Sequence, residues 1–259
     1  MIKLVKIGGN VVDNEEALAR FCLDFAALEG PKVLVHGGGA IASKVQKALG
    51  IEPLKIEGRR VTDAETLKVV TMVYSGWCNK HIVSLLQAAG CNAVGLSGCD
   101  GSVIKAVKRA PKTLMDGVTV VDYGFVGDVR PSSVNAAFLE NLVENGCVPV
   151  LCAINHDGCG QLLNTNADTV ASSVAAALGA ELVCCFEMDG VMRDISDPSS
   201  VIPVIDSASF ERMKADGSVS DGMIPKIENC LNALREGAGA AVIKNSAALL
   251  SGGGTAVTL

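Results

Sequence analysis

The chain has 259 residues, 49% hydrophobic and 19% charged, with a formal charge of -6 at pH 7. No apolar run approaches the roughly 18 residues of a membrane span, and the lysines and arginines build no basic stripe, which argues against a membrane protein and a nucleic-acid binder. The ten cysteines contain no C-x-x-C pair and form no ligand-spaced cluster with His36, His81 or His156, so they read as reduced core thiols, with no metal site.

The chain opens on "IKLVKI", a strand without signal-peptide character, and cytoplasm is the expectation. Gly8 and Gly9 end that strand, and a helix is expected after Asp13. "NEEALARFCLDFAALEG" has helical periodicity and stops at Gly30; "KVLVH" is a second strand, so the unit is β-α-β and the sheet parallel. A helix over 40–49, a hairpin "LKIEGRRVT" turning at Glu57-Gly58, and helical stretches over 63–89 follow. From about 93 to 130 short strands between turns predict an irregular or antiparallel part of the sheet. Alternation then returns: a helix to about Glu144, strand "CVPVLCAI", helix "NADTVASSVAAALG", strand "ELVCCF", helices near 206–215 and 225–236, and strand "AAVIK".

The chemistry gathers at the breaks between these elements. Two glycine turns, Gly8-Gly9 and Gly37 to Gly39, end neighbouring parallel strands before helices, where backbone N–H groups favour an anion; Lys6 stands beside them. "HGGG" also occurs in the oxyanion hole of lipase-like hydrolases, but the required G-x-S-x-G elbow is missing, since Gly95-Leu96-Ser97-Gly98-Cys99 fails at its last position. Neither G-x-G-x-x-G nor G-x-x-x-x-G-K-[ST] is present, which disfavours ordinary Rossmann and P-loop enzymes. Asn164, Asn166 and Asp168 crowd the start of an alanine-rich helix. An N-cap at Asn166 or Asp168 explains one of them, not all three. In "SVSDGMIPK" a polar loop meets a helix start, with Lys226 beside it.

The order K-x-G-G, H-G-G-G, G-R-R-V-T, N-x-N-A-D and D-G-M-x-x-K across the whole chain resembles the amino acid kinase superfamily, and within it the acetylglutamate kinases. That resemblance implies an α/β/α sandwich around a mostly parallel sheet, as in carbamate kinases, in one domain over 1–259. A lobe of about 1–170 would hold the acylglutamate and dimerise, and one of about 171–259 would hold ATP. The implied reaction is ATP-dependent phosphorylation of the side-chain carboxylate of N-acetyl-L-glutamate, in arginine biosynthesis.

By the same resemblance Lys6 and Lys226 face the transferring phosphoryl group and Asp168 orients them. Gly8, Gly9, Gly38 and Gly39 supply backbone donors, Arg60 and Asn164 hold the substrate α-carboxylate, and Asp189, Gly190, Asp221, Gly222 and Met223 contact the nucleotide. Mg²⁺ would travel on the ATP phosphates. Two positions depart from the family pattern. Phe186-Glu187-Met188-Asp189-Gly190 replaces the usual Thr or Ser with Asp. Arg59 stands where an apolar residue is usual, so that a second carboxylate on a larger acyl group such as succinyl is a further expectation. The absence of an N-terminal helix before the first strand predicts a homodimer rather than an arginine-inhibited hexamer, with "GWCNKHIVSLLQ" as candidate interface. Alternatives are a family enzyme acting on another carboxylate or phosphate, and a non-catalytic sensor on the same fold.

Overall fold

The computed structural model describes residues 1–114, 117–194, 196–219 and 222–259. In chain order it runs β1 (Lys3–Ile7), the single turn α1 (Gly9–Val12), α2 (Glu15–Ala27), β2 (Lys32–His36) and α3 (Gly39–Ala48). A hairpin of β3 (Lys55–Ile56) and β4 (Arg59–Arg60) precedes α4 (Ala64–Thr71), which continues through a π-helical stretch, Met72–Cys78, into α5 (Asn79–Ala88). Next come β5 (Ala93–Leu96), the short strands β6 (Val107–Lys108), β7 (Lys112–Thr113), β8 (Val120–Val121) and β9 (Gly127–Asp128), then α6 (Ala136–Glu144). β10 (Val148–Leu151), β11 (Ile154–His156), β12 (Leu162–Asn164), α7 (Ala167–Ala177), β13 (Glu181–Phe186) and β14 (Val204–Asp206) follow. The chain closes with α8 (Ser207–Ala215), α9 (Ile224–Arg235), β15 (Ala240–Asn245) and β16 (Thr255–Thr258).

Eight strands form the central sheet in the order β14-β16-β15-β13-β1-β2-β10-β5. Its pairs are parallel except β15 with β16. Alternation along β1 sends Leu4 and Lys6 to one face, Val5 and Ile7 to the other. Leu4, Cys184 and Ile243 pack with Val170 and Val174 of α7, Ile227 and Leu231 of α9, and Leu139 of α6. Val5, Ile7, Leu34 and Cys185 pack with Phe21 and Phe25 of α2, Val69 of α4, and Ile82 and Leu86 of α5. The result is the expected α/β/α sandwich.

Three sequence expectations need revision. The helix expected after Asp13 has a forerunner, α1, directly after β1. "CVPVLCAI" divides into β10, in the sheet, and β11, which leaves it to pair with β12. The stretch 107–128 makes two separate antiparallel pairs, β6 with β9 and β7 with β8, outside the central sheet. The edge strand β14 and its neighbour β16 had no sequence signal strong enough to mark them; each is short, and the local alternation they carry is not distinctive.

Candidate functional site

β1 is the point where the strand order reverses. The chain leaves β1 on one side through β2 and returns on the other at β13, so the crevice beyond the carboxyl ends of these strands is where a ligand fits an open α/β sheet. A cleft of about 350 Å³ lies there, within the range of small-molecule sites. Five cationic side chains, Lys6, Lys55, Arg59, Arg60 and Arg109, line it against one carboxylate, Asp168. An acidic protein thus carries a cationic pocket.

Lys6 projects from β1 toward α7, where its Nζ lies 2.6 Å from Asp168 Oδ1. Asn166 caps α7, its Oδ1 accepting from the backbone N–H groups of Asp168 and Thr169 at 2.7 and 3.3 Å. That cap frees the Asp168 side chain for Lys6. Burial alone would lower the Lys6 pKa, but the charge and hydrogen bond of Asp168 outweigh it and hold the ammonium above the ordinary lysine value. Lys6 is therefore a fixed cation.

Arg60 is buried and held by three residues of α3. Its guanidinium donates to Gln46 Oε1, and its second terminal nitrogen donates to the Gly39 carbonyl and to Ser43 Oγ, both at 2.8 Å. Gln46 is itself anchored by donating to Thr66 Oγ1 at 3.1 Å. This planar fork is pre-organised, which a lysine could not reproduce. The hairpin bearing it turns at Glu57 (φ 48) and Gly58 (φ 72), two successive left-handed residues as a tight two-residue hairpin needs. Behind it Thr62 bridges to Gly124, and Asn164 Nδ2 donates to Thr62 Oγ1 at 3.0 Å. Residues about a hundred positions apart are thereby clamped together.

Arg109 and Tyr74 went unnoticed in the sequence. Arg109 reaches the cleft from the excursion after β5, donating through Nε to Asp128 at 3.0 Å and lying over the Tyr123 ring at 5.9 Å. Tyr74 comes from the π-helical stretch and packs on the second glycine turn. Neither residue sits in a recognisable motif, so only three-dimensional proximity reveals it.

Of the residues expected from sequence, Lys6, Gly9, Gly38, Gly39, Arg59, Arg60, Asn164 and Asp168 line this one cleft. Gly8 caps α1 just outside the lining. Lys226 also lies outside it: its Nζ donates to the Gly222 carbonyl at 3.3 Å and sits 4.9 Å from the Phe186 ring centre. Burial first, then the charge of Lys6, lower its pKa. Asp189 lines a second cavity with Lys244 and Gly252 to Gly254 and accepts from Asn245 Nδ2 at 2.8 Å. Gly190 lies against Thr255, and Met223 is buried in the core on the α7 and α9 side of the sheet. Asp221 lies outside the described residues. Among the described residues no group of three or more His, Cys, Asp or Glu is placed to hold a metal, and all ten cysteines are free thiols, seven of them buried.

The amino acid kinase family model matches residues 1–245. Over 260 aligned residues the chain is 49% identical to the acetylglutamate kinase of Phocaeicola vulgatus, covering 99% of this chain and 98% of that protein. Among solved structures it resembles a protein from Streptococcus mutans UA159, with TM-score 0.72 and 29% identity, covering 99% and 98% of the two chains. The carbamate kinase of Giardia, at TM-score 0.67 and 14% identity over 99% and 98% of the chains, shares the fold.

Proposed function

The chain belongs to the amino acid kinase family, and from that premise we propose that it phosphorylates the side-chain carboxylate of N-acetyl-L-glutamate with ATP, a step of arginine biosynthesis. The observation that carries this reading is the full-length similarity to an acetylglutamate kinase. The cationic cleft at the strand-order reversal supports it.

The chemistry asks for positioning and positive charge, not for a base. A glutamate side chain has an ordinary pKa of about 4.3 and is already ionised at neutral pH. One of its oxygens attacks the γ-phosphorus; the bond from that phosphorus to the β–γ bridging oxygen breaks, and ADP leaves with those electrons. Lys6, held charged by Asp168, neutralises the oxygens on which transition-state charge spreads, and the glycine-turn amides add donors beside it. Arg60 and Asn164 hold the α-carboxylate. Lys226 approaches from the other side of β1, bringing a second cation toward the phosphoryl group.

Magnesium would enter as part of the nucleotide substrate, on the ATP phosphates. ATP would lie toward the 171–259 part, reached from Asp189, Gly190, Gly222 and the loop before α9. No helix of the described chain is long and apolar enough to cross a membrane, and we place the enzyme in the cytoplasm. For assembly we propose a homodimer through the α4–α5 region. Met72 and Trp77 are 57% and 59% exposed there, and sedimentation should show a dimer that Trp77→Glu dissociates.

Arg59 is exposed at the rim of the cleft. Trapping the acyl phosphate with hydroxylamine, on N-acetyl- and N-succinyl-L-glutamate side by side, tests both the reaction and what Arg59 reads. Turnover of the acetyl substrate is expected; no turnover of either by folded protein with ATP and Mg²⁺ would overturn the reading.

A further inference from the structure

His36 ends β2 directly before the glycine turn and is completely buried. Its Nδ1 lies 2.7 Å from the Gly37 carbonyl oxygen and its Nε2 lies 3.1 Å from Asn79 Nδ2. A carbonyl only accepts, so Nδ1 carries the ring proton and Nε2 takes a hydrogen from the Asn79 amide. Burial pushes the His36 pKa down to about 4, so at neutral pH the ring has one N–H, and it is directed at Gly37. The second Asn79 N–H goes to the Val150 carbonyl at 2.9 Å. Room for this amide exists because residue 95 is glycine: an added Cβ would stand 2.1 Å from Asn79 Oδ1.

The segment that ends at Asn79 braces the turn a second time. Residues 72–78 wind as a π-helix, a form that occurs in short pieces and often at functional sites. From it Tyr74 and Cys78 press on Gly38, whose φ is +155 and where a Cβ would meet Cys78 Sγ at 3.0 Å and the Tyr74 ring at 3.1 Å. Gly39 then opens α3, so its amide has no acceptor within the helix and is free for a ligand. Behind the turn lies a line of bonds from β10 through Asn79 and His36 to Gly37, and beside it an aromatic wall.

We propose that His36 is a positioning residue for phosphoryl transfer: braced by Asn79, it fixes the Gly37 carbonyl and thereby aims the amides of the glycine turn into the cleft. This rests on the acylglutamate kinase reading for the atoms those amides meet. A histidine that merely fills the core would be replaced best by the side chain of nearest size. A positioning histidine would be replaced best by a side chain that keeps the N–H on Gly37.

The test compares His36→Asn, whose amide N–H can stand near Nδ1, with His36→Gln and His36→Phe, which fill more of the space but leave Gly37 without its donor. Displacing reacting groups by about 1 Å can cost on the order of 100-fold in rate. In the full-length enzyme with ATP, Mg²⁺ and N-acetyl-L-glutamate, Gln and Phe should lower kcat about 30- to 100-fold, with both KM values within about threefold. Asn should stay within about fivefold of the parent kcat although it leaves the largest hole and melts lowest.

If Asn falls with the other two, or the loss sits in KM, the proposal is overturned. Where His36→Phe fails to fold, Asn79→Ser withdraws the donor to Nε2 and is read in its place, with a kcat loss of about tenfold expected and no loss counting against the proposal. Should the parent enzyme turn over no acylglutamate, the functional reading fails by itself. Amide exchange of the 34–41 segment then decides the positioning claim. Exchange about tenfold faster in His36→Gln than in the parent and His36→Asn is expected; equal rates overturn it.

Discussion

The two sides of β1 are held together by different means. On the β2 side, Arg60 ties the hairpin to α3, Asn164 ties β12 to Thr62, and Lys112 tethers the hairpin tip through Glu57 at 3.1 Å. On the β13 side, Thr255 ties Val191 and Ile202 to β16 and Asn245 ties Asp189 to β15, while the exposed residues beyond them are held by local turns, Asp194 with Ser196, Asp197 with Ser199 and Asp216 with Ser218. Long-range clamps make a preformed pocket, whereas local turns leave segments that open at low cost.

The sharpest way to break this contrast is at its hinge, the Lys6–Asp168 pair. Lys6→Met should lower kcat/KM by about 10³-fold or more, since it removes a fixed charge from the transition state. Asp168→Asn should leave a buried ammonium unpaired and cost about 2 kcal/mol of stability. That is below the roughly 3–5 of a fully buried pair because the Asp168 side chain is 29% exposed. Denaturant unfolding of both variants beside steady-state rates separates charge loss from unfolding.

Next in size is Gly38→Ala. The methyl would press on Cys78 and Tyr74, so kcat should fall about 100-fold and stability by about 1–3 kcal/mol. A fully active Gly38→Ala would mean that the pocket is less rigid than its contacts imply. Arg60→Lys keeps the charge but loses the fork; the KM for the acylglutamate should rise about tenfold while the KM for ATP holds. An equal rise in both would dissolve the distinction between the two sides.

The pH profile gives a milder test. Lys226 is lowered by burial and then by Lys6, while Asp168 holds Lys6 raised, so Lys226 loses its proton first as pH rises. The alkaline limb of kcat/KM, which reports the free enzyme, should fall below the ordinary lysine value of about 10.4, and Lys226→Arg should move it upward. For stability the signs differ. The Lys6 contribution is whole below the unfolded lysine pKa and is lost as pH rises through its higher folded value; the cost of burying charged Lys226 is relieved as that residue deprotonates. Smallest is Arg59→Ala at the exposed rim, which should change the KM for the acetyl substrate by no more than about threefold.

Much of this was legible before folding was considered. The turn falls at Glu57-Gly58 as its residues demand, and β1, β2 and β13 follow their apolar runs, because these features depend on neighbours within a few residues. The K-x-G-G and H-G-G-G turns sit side by side because parallel strands that follow one another in a β-α-β unit are usually adjacent. By contrast, Asn164, Asn166 and Asp168 look alike in sequence. The family resemblance gives Asp168 to the lysines, and the structure pairs it with Lys6; only the structure assigns Asn166 to the cap and Asn164 to Thr62.

By itself, then, the sequence determined most of the alternating elements and the positions of the glycine turns, since hydrophobic period and backbone preference are local properties. Tertiary packing alone decided that Arg109 and Tyr74 join the cleft, that Met223 turns into the core, and that Asn79 lies behind His36. Those outcomes depend on distances between segments tens to a hundred residues apart, and such distances are set by how two helical layers close on the sheet.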